Sequence, residues 1–120
     1  KVIAGGPMTG SAMGNLDVPV QKTSSGIIAF TFDDVAAMNQ SNCIHCGKCM
    51  SVCPSNLVPQ MLCKALKEND TDRFESLGGM ECVQCGCCSY VCPAKIPLTG
   101  MFIMGKAEVK SKAKRNGGAK

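Results

Sequence analysis

The sequence contains no tryptophan and few aromatic residues of any kind. Of its 120 residues, 4% are aromatic, and there is a single His. A chain of this length forms about one domain, and so little aromatic area limits the apolar core that it can bury. We therefore expect the fold to need additional stabilisation, such as a bound metal.

Long apolar runs are also missing. No stretch of about 20 apolar residues occurs, so nothing in this sequence is predicted to span a membrane. No signal peptide is visible, and the chain begins with "KVIAGGPMTG" instead of a methionine. We interpret this beginning as a strand already under way, and the sequence as a piece cut from a longer protein.

The net charge of +4 arises at the C-terminal end. Residues 105–120 carry +5, from six basic side chains and Glu108, so residues 1–104 carry −1. We interpret this tail as a solvated, mobile terminus, with an acidic protein partner or an anionic membrane surface as the alternative. Nucleic acid is not indicated, because no aromatic residues alternate with the charges. The basic residues are Lys106, Lys110, Lys112, Lys114, Arg115 and Lys120.

Cysteine, in contrast, is abundant. Eight of the ten cysteines form two runs with the spacing C-x2-C-x2-C-x3-C-P, "CIHCGKCMSVCP" over 43–54 and "CVQCGCCSYVCP" over 82–93. The second run is therefore an internal duplication of the first. Disulfide frameworks rarely repeat a four-cysteine register, so the spacing favours metal binding over disulfides.

Each run is short enough to surround a cubic iron–sulfur cluster. It resembles the run of bacterial two-cluster ferredoxins, in which the fourth cysteine ligates the other cluster. Structural zinc sites, the competing interpretation, favour two well-separated C-x2-C pairs. We therefore predict two 4Fe–4S clusters and no catalytic residue. The predicted ligands are Cys43, Cys46, Cys49 and Cys92 for cluster one, and Cys82, Cys85, Cys88 and Cys53 for cluster two.

Three further residues lie in or near these runs. Cys63 falls on a predicted helix beside its apolar stripe, and we expect a small core residue. Cys87 is left over by the repeat, and we expect a free thiol packed near the cluster. We expect His45 to face solvent, with a redox-linked proton site as the alternative.

The predicted fold class is α+β, mainly α, with strands confined to residues 1–32. The segments "KVIAGG", "DVPVQK" and "SGIIAFTF" are predicted strands, and "GGPMTGSAMGN" is a predicted loop. Asp33 or Asp34 is expected to cap a short helix through Met38.

Helices are predicted between and after the runs. Apolar residues recur at helical spacing over 57–69, with Pro59 in the first turn. A second short helix is expected with Thr71 as its cap and Gly78-Gly79 as its end. Pro97 is predicted to open a last helix that continues to about Lys110. The residues expected on its inner face are Met101, Phe102, Met104 or Gly105, and Val109.

Four segments together resemble the C-terminal part of the C subunit of the Rnf electron transport complex. They are "VIAGGPMTG", "DVPVQKTSSGIIAFT", "CIHCGKCMSVCPSNLVPQ" and "CVQCGCCSYVCPAKIPL". Each cysteine run alone would fit many ferredoxins, whereas the combination with "GGPMTG" and "DVP" upstream is more specific. The fifth cysteine of the second run also belongs to the family pattern.

The resemblance implies a peripheral subunit on the cytoplasmic face of the inner membrane, within an ion-translocating ferredoxin:NAD oxidoreductase. Residues 1–34 would end a β-grasp-like (SLBB-type) domain, 35–104 would form a two-cluster 4Fe–4S ferredoxin-like module, and 105–120 would hold a helix end and the basic tail. FMN and NAD(H) would bind only an upstream domain outside this sequence. The chain would then be an electron relay between a ferredoxin-type donor and that domain, with the other Rnf subunits as partners.

Two alternatives stay open at this point. A related architecture occurs in a cobalamin reductase of bacterial microcompartments. The other alternative, from a different class, is a zinc-stabilised interaction module.

Overall fold

A computed structural model of the chain describes residues 1–7, 9–35 and 37–117. The chain divides into two compact units, residues 1–39 and 40–120. The described strands all lie in the first unit and the described helices in the second, which confirms a mainly helical fold with a small β part. The predicted domain boundary between residues 34 and 35 stays a prediction. Met8, Ala36 and Lys120, which fall in a predicted loop, helix and tail, lie outside the described residues.

The first unit contains a small antiparallel sheet with the strand order β2-β1-β3. Its strands are β1 (Val2–Ala4), β2 (Ser11–Ala12) and β3 (Ile27–Ala29). In the central strand, Ile3 pairs with Ala12 on one side and with Ile28 on the other. Because Gly5 follows β1 at φ +107°, a conformation that L side chains rarely adopt, the chain turns there, and its N–H reaches the Gly26 carbonyl at 2.8 Å.

Three predictions for this unit were wrong. "DVPVQK" forms no strand, because Val18 and Val20 are exposed and Pro19 lacks an N–H for a ladder. The loop predicted as "GGPMTGSAMGN" contains β2. In place of the short helix after Asp33, the described residues form a turn, in which the Asp33 carboxylate accepts a hydrogen bond from the Val35 N–H at 3.2 Å.

The second unit is built from five helices and one 3₁₀ turn in the described residues. They are α1 (Lys48–Ser51), α2 (Pro59–Lys67), α3 (Thr71–Ser76), the 3₁₀ turn (Gly79–Glu81), α4 (Cys87–Val91) and α5 (Leu98–Gly117). The helix predicted between the runs is confirmed as α2, with Pro59 at its first position, where a missing N–H costs nothing.

The ends of α3 and α5 differ from the prediction. Asp70, not Thr71, caps α3, since its carboxylate accepts a hydrogen bond from the Arg73 N–H at 2.9 Å. Helix α5 continues to Gly117 instead of ending near Lys110. Within the extra length, the Lys112 ammonium lies 2.8 Å from the Asp72 carboxylate, which ties the end of α5 to α3.

Helices α2, α3 and α5 surround the core of this unit. Phe74 and Phe102 are fully buried, with ring centroids 6.2 Å apart. Gly105, not Met104, lies on the inner face of α5, where a Cβ atom would come within 2.6 Å of the Leu66 side chain. The absence of that Cβ lets α2 and α5 pack closely.

Candidate metal centre

Four cysteine thiols line one cavity in the second unit, and they come from both runs. The cavity measures about 200 Å³ and opens between the first run, helix α2 and the residues around Pro93. Its cysteine lining comprises the first three cysteines of the first run, the fourth cysteine of the second run, and Cys63. The first four are Cys43, Cys46, Cys49 and Cys92.

A second cavity has the complementary set of thiols. It is smaller, about 20 Å³, and lies beside the second run, with Leu57 and Phe102 among its apolar walls. Its cysteine lining is the first three cysteines of the second run and the fourth of the first. These are Cys82, Cys85, Cys88 and Cys53.

The backbone of the two runs repeats residue by residue. A shift of 39 residues brings Cys43 onto Cys82 and helix α1 onto α4. Positive φ angles recur at matching positions, although only one of the three pairs is glycine. A non-glycine residue in this region costs free energy and is kept where the surrounding structure requires it. The pairs are His45 (56°) with Gln84 (58°), Gly47 (74°) with Gly86 (82°), and Asn56 (52°) with Lys95 (55°).

Polar hydrogens point at several of these sulfur atoms. The Leu57 N–H donates to Cys53 Sγ at 3.4 Å. The Gln60 N–H is directed at the Cys49 thiol, and at the repeat-equivalent position the Thr99 hydroxyl lies 3.7 Å from Cys88 Sγ. Hydrogen bonds to sulfur favour the thiolate form, which is the form that binds metal.

Burial acts in the opposite direction on two thiols at the first cavity. It raises the pKa of Cys49, because a buried thiolate loses hydration, and neighbouring backbone N–H groups lower this pKa by less. Burial also raises the pKa of Cys63, against which the positive charge of Lys67 acts. An apolar cavity with thiols held against their tendency to stay protonated suits a positively charged metal group, which stabilises thiolates directly.

The fifth cysteine of the second run lies against a predicted ligand. Cys87 is exposed and is not among the residues that line either cavity. The Cys87 N–H bonds to the Cys85 thiol and lowers the pKa of Cys85, while the contact with Cys85 raises the pKa of Cys87. Cys87 is thus an exposed thiol beside the second set, as expected from the sequence, though less packed than expected.

Cys63 and His45 have surroundings that the sequence did not reveal. Cys63 is buried in the core as predicted, but it also lines the first cavity, and its Sγ lies 3.8 Å from the Met101 sulfur. His45 is exposed as predicted, yet its ring contacts the Gln60 amide and lies 4.0 Å from Cys43 Sγ.

Lysines near the two cavities were also missed. Lys64 and Lys67 line the first cavity, and the Lys106 ammonium donates to the Cys82 carbonyl at 2.8 Å. Their spacing from the cysteines, 24 residues from Cys43 to Lys67 and from Cys82 to Lys106, is readable once the repeat is aligned.

Neither a preformed single-ion site nor a membrane span occurs in the described residues. In residues 1–7, 9–35 and 37–117, no group of three or more His, Cys, Asp or Glu side chains is arranged to hold a metal ion. Over the same ranges, no helix has the length and apolar character needed to cross a membrane.

Comparison with known proteins supplies relatives for nearly the whole chain. A 4Fe-4S binding domain family matches residues 35–58. The C subunit of the Na(+)-translocating ferredoxin:NAD(+) oxidoreductase complex of Acetobacterium woodii is 48% identical over 109 residues, which cover 91% of this chain and 25% of that protein. The C subunit of the ion-translocating oxidoreductase complex of Rhodobacter capsulatus is 39% identical over 115 residues, or 96% of this chain and 22% of that protein.

A third relative matches a shorter segment at higher identity. The C subunit of the proton-translocating ferredoxin:NAD(+) oxidoreductase complex of Clostridium ljungdahlii is 52% identical over 62 residues, or 52% of this chain and 14% of that protein. The chain thus spans a quarter or less of the length of these relatives.

Proposed function

We propose, from its homology to part of the C subunit of the Rnf-type ion-translocating ferredoxin:NAD(+) oxidoreductases, that this chain transfers electrons through two 4Fe–4S clusters. The observation that carries the proposal is the division of eight cysteines into two cavities, each lined by three thiols of one run and one of the other. This is the ligand pattern of two-cluster ferredoxins.

The residues of the first cavity fit a cluster in size and chemistry. Four thiols face a space of about 200 Å³, far more than one metal ion fills. Ile44, Ile96 and Leu98 are among the apolar residues of the wall. In this site, Cys43, Cys46, Cys49 and Cys92 would be the ligands.

The second cavity fits in its ligands but is narrower. Its thiols are the matching four, while its volume of about 20 Å³ is close to that of a single water probe. Cys85 is exposed, and the loop from Cys82 to Gly86 has no helix or strand. Metal binding would therefore require this loop to shift outward. Its ligands would be Cys82, Cys85, Cys88 and Cys53.

When bound, a 4Fe–4S cluster accepts and releases one electron at a time. The chain would hold two clusters within one helical unit, exclude water with apolar walls, and donate hydrogen bonds to the ligand sulfurs from Leu57, Gln60 and Thr99. Such hydrogen bonds and the burial of the ligands influence the reduction potential.

The wider role follows from the relatives. We place the chain in a peripheral subunit at the cytoplasmic face of the membrane, with the other Rnf subunits as partners. Electrons would pass between a ferredoxin-type donor and an FMN and NAD(H) domain that precedes this sequence. The chain itself would act as a relay, because a flavin or similar carrier is needed to divide a hydride into single electrons.

Metal analysis of the anaerobically purified chain tests the proposal. We expect about eight irons and eight acid-labile sulfides per chain, with an EPR signal after reduction by dithionite. Cys63→Ala and Cys87→Ser serve as controls, since neither residue is a proposed ligand, and both should keep the full iron content, whereas Cys46→Ser should lose iron. Stoichiometric zinc without sulfide would contradict the proposal.

A further inference from the structure

Two lysines occupy equivalent positions in the repeat. Lys67 lies 24 residues after Cys43, and Lys106 lies 24 residues after Cys82. Each is the ninth residue of the helix that follows its run, α2 or α5. The duplication has therefore kept one cation at the same place relative to each set of thiols.

Lys106 is fixed against the second run. Its side chain is half-buried along α5, and its ammonium donates to the Cys82 carbonyl at 2.8 Å. In the part of the chain that the structure describes, the ion pairs join other residues, and none of them neutralises Lys106. Its full positive charge thus lies beside the first proposed ligand of cluster two.

Lys67 lies at the first cavity in a more exposed setting. It lines the cavity that contains Cys43, Cys46 and Cys49, and no hydrogen bond from its ammonium is described. Lys64 also lines this cavity, but its repeat equivalent is Ile103, so only Lys67 has a counterpart at the second site.

We propose that Lys67 and Lys106 are a repeated pair of charges that raise the reduction potentials of cluster one and cluster two. This inference rests on the proposed function. Four thiolates and an oxidised core carry about −2 together, and an added electron makes the group more negative. A nearby ammonium stabilises the reduced form more than the oxidised form, so removing it lowers the potential.

The two lysines differ in strength. Lys106 is half-buried and held in one position, so water and salt screen its charge weakly. Lys67 is exposed, so its effect is smaller and decreases as the salt concentration rises. For two unit charges about 12 Å apart at an effective dielectric constant of about 20, Coulomb's law gives about a tenfold change in a one-electron equilibrium, or about 59 mV. We expect a shift of this order for Lys106 and a fraction of it for Lys67.

The test compares charge variants of the 120-residue chain after anaerobic cluster assembly. Iron and sulfide are counted first, and failure of the wild-type chain to assemble clusters would be a failure of the proposed function. The potentials are then measured by EPR-monitored redox titration of chains with full iron content. Lys106→Met should lower one of the two potentials, and Lys67→Met should lower the other by less. In the double variant both should fall.

Conservative variants separate charge from structure. Lys106→Arg keeps the charge and should restore the wild-type potential, while Lys106→Gln keeps a donor for the Cys82 carbonyl and should stay low. Lys110→Met, an exposed position one turn further along α5, is the matched control and should have no effect. If every Lys106 variant fails to assemble clusters, Lys67→Met still decides, because no described hydrogen bond is lost there. Unchanged potentials in fully loaded Lys67→Met and Lys106→Gln chains would overturn the inference.

Discussion

Replacing Gly105 with alanine should destabilise the helical unit, although alanine is the better helix former. At this position on α5 an added Cβ would lie 2.6 Å and 3.0 Å from the two methyl carbons of Leu66 on α2. Overpacking of this kind costs about 1–3 kcal/mol, against a gain of up to about 1 kcal/mol in helix propensity. The net expectation is a loss of about 0–2 kcal/mol.

The same helix provides a matched control. Gly100 has no atom within 4 Å of the position that its Cβ would take, so Gly100→Ala should gain propensity without a clash. The difference between the two alanine variants then isolates the steric cost, about 1–3 kcal/mol. Leu66→Ala removes the obstructing methyl groups, and in that background Gly105→Ala should become stabilising.

Guanidinium unfolding of anaerobic, iron-matched chains, followed by far-UV circular dichroism, gives the order of stability. The midpoint should fall from Gly100→Ala through the wild-type chain to Gly105→Ala. Equal midpoint shifts for the two alanine variants would refute the close packing of α2 on α5. So would an unchanged effect of Gly105→Ala in the Leu66→Ala background.

Three other predictions concern the clusters. Cys53→Ser should perturb the EPR signal of the cluster held by Cys82, Cys85 and Cys88 more than that of its own run; the reverse would mean that each run closes on its own cluster. Dithionite should bleach the visible absorbance of the flavin-free chain under anaerobic conditions, and NADH alone should not; rapid bleaching by NADH would contradict the relay. Removing iron with a chelator should reduce the helical signal in circular dichroism, since the apolar core is small; an unaltered spectrum would show that the core folds without metal.

The sequence predicted best where a period or a spacing was long and repeated. Helix α2 was predicted from its apolar stripe, and the resemblance to the Rnf C subunit is confirmed by relatives that match most of the chain. The assignment of individual ligands to clusters stays a prediction, although each cavity brings together the thiols that the run pattern groups.

Local propensity failed where tertiary contacts decide. Val18 and Val20 favour a strand, but no partner pairs with that segment in the described structure, and both stay exposed. Helix α5 passes its predicted end because Lys112 reaches α3, a contact that joins residues 40 positions apart. The lysines beside the cysteines were missed for a similar reason, since only the fold shows which of thirteen basic residues lie at the cavities.

The exchange of one cysteine between the two sets bears on how the protein is made. Cys43 and Cys92, at the same cavity, are 49 residues apart, and a ribosome that adds about 5–20 residues per second needs about 2–10 s between them. During that interval a nascent chain presents three thiols of the first set with an open fourth position. Metal delivered before the second run emerges would meet an incomplete site, exposed to oxygen and to exchange with other thiols. Assembly factors would therefore do best to act after translation has passed Pro93.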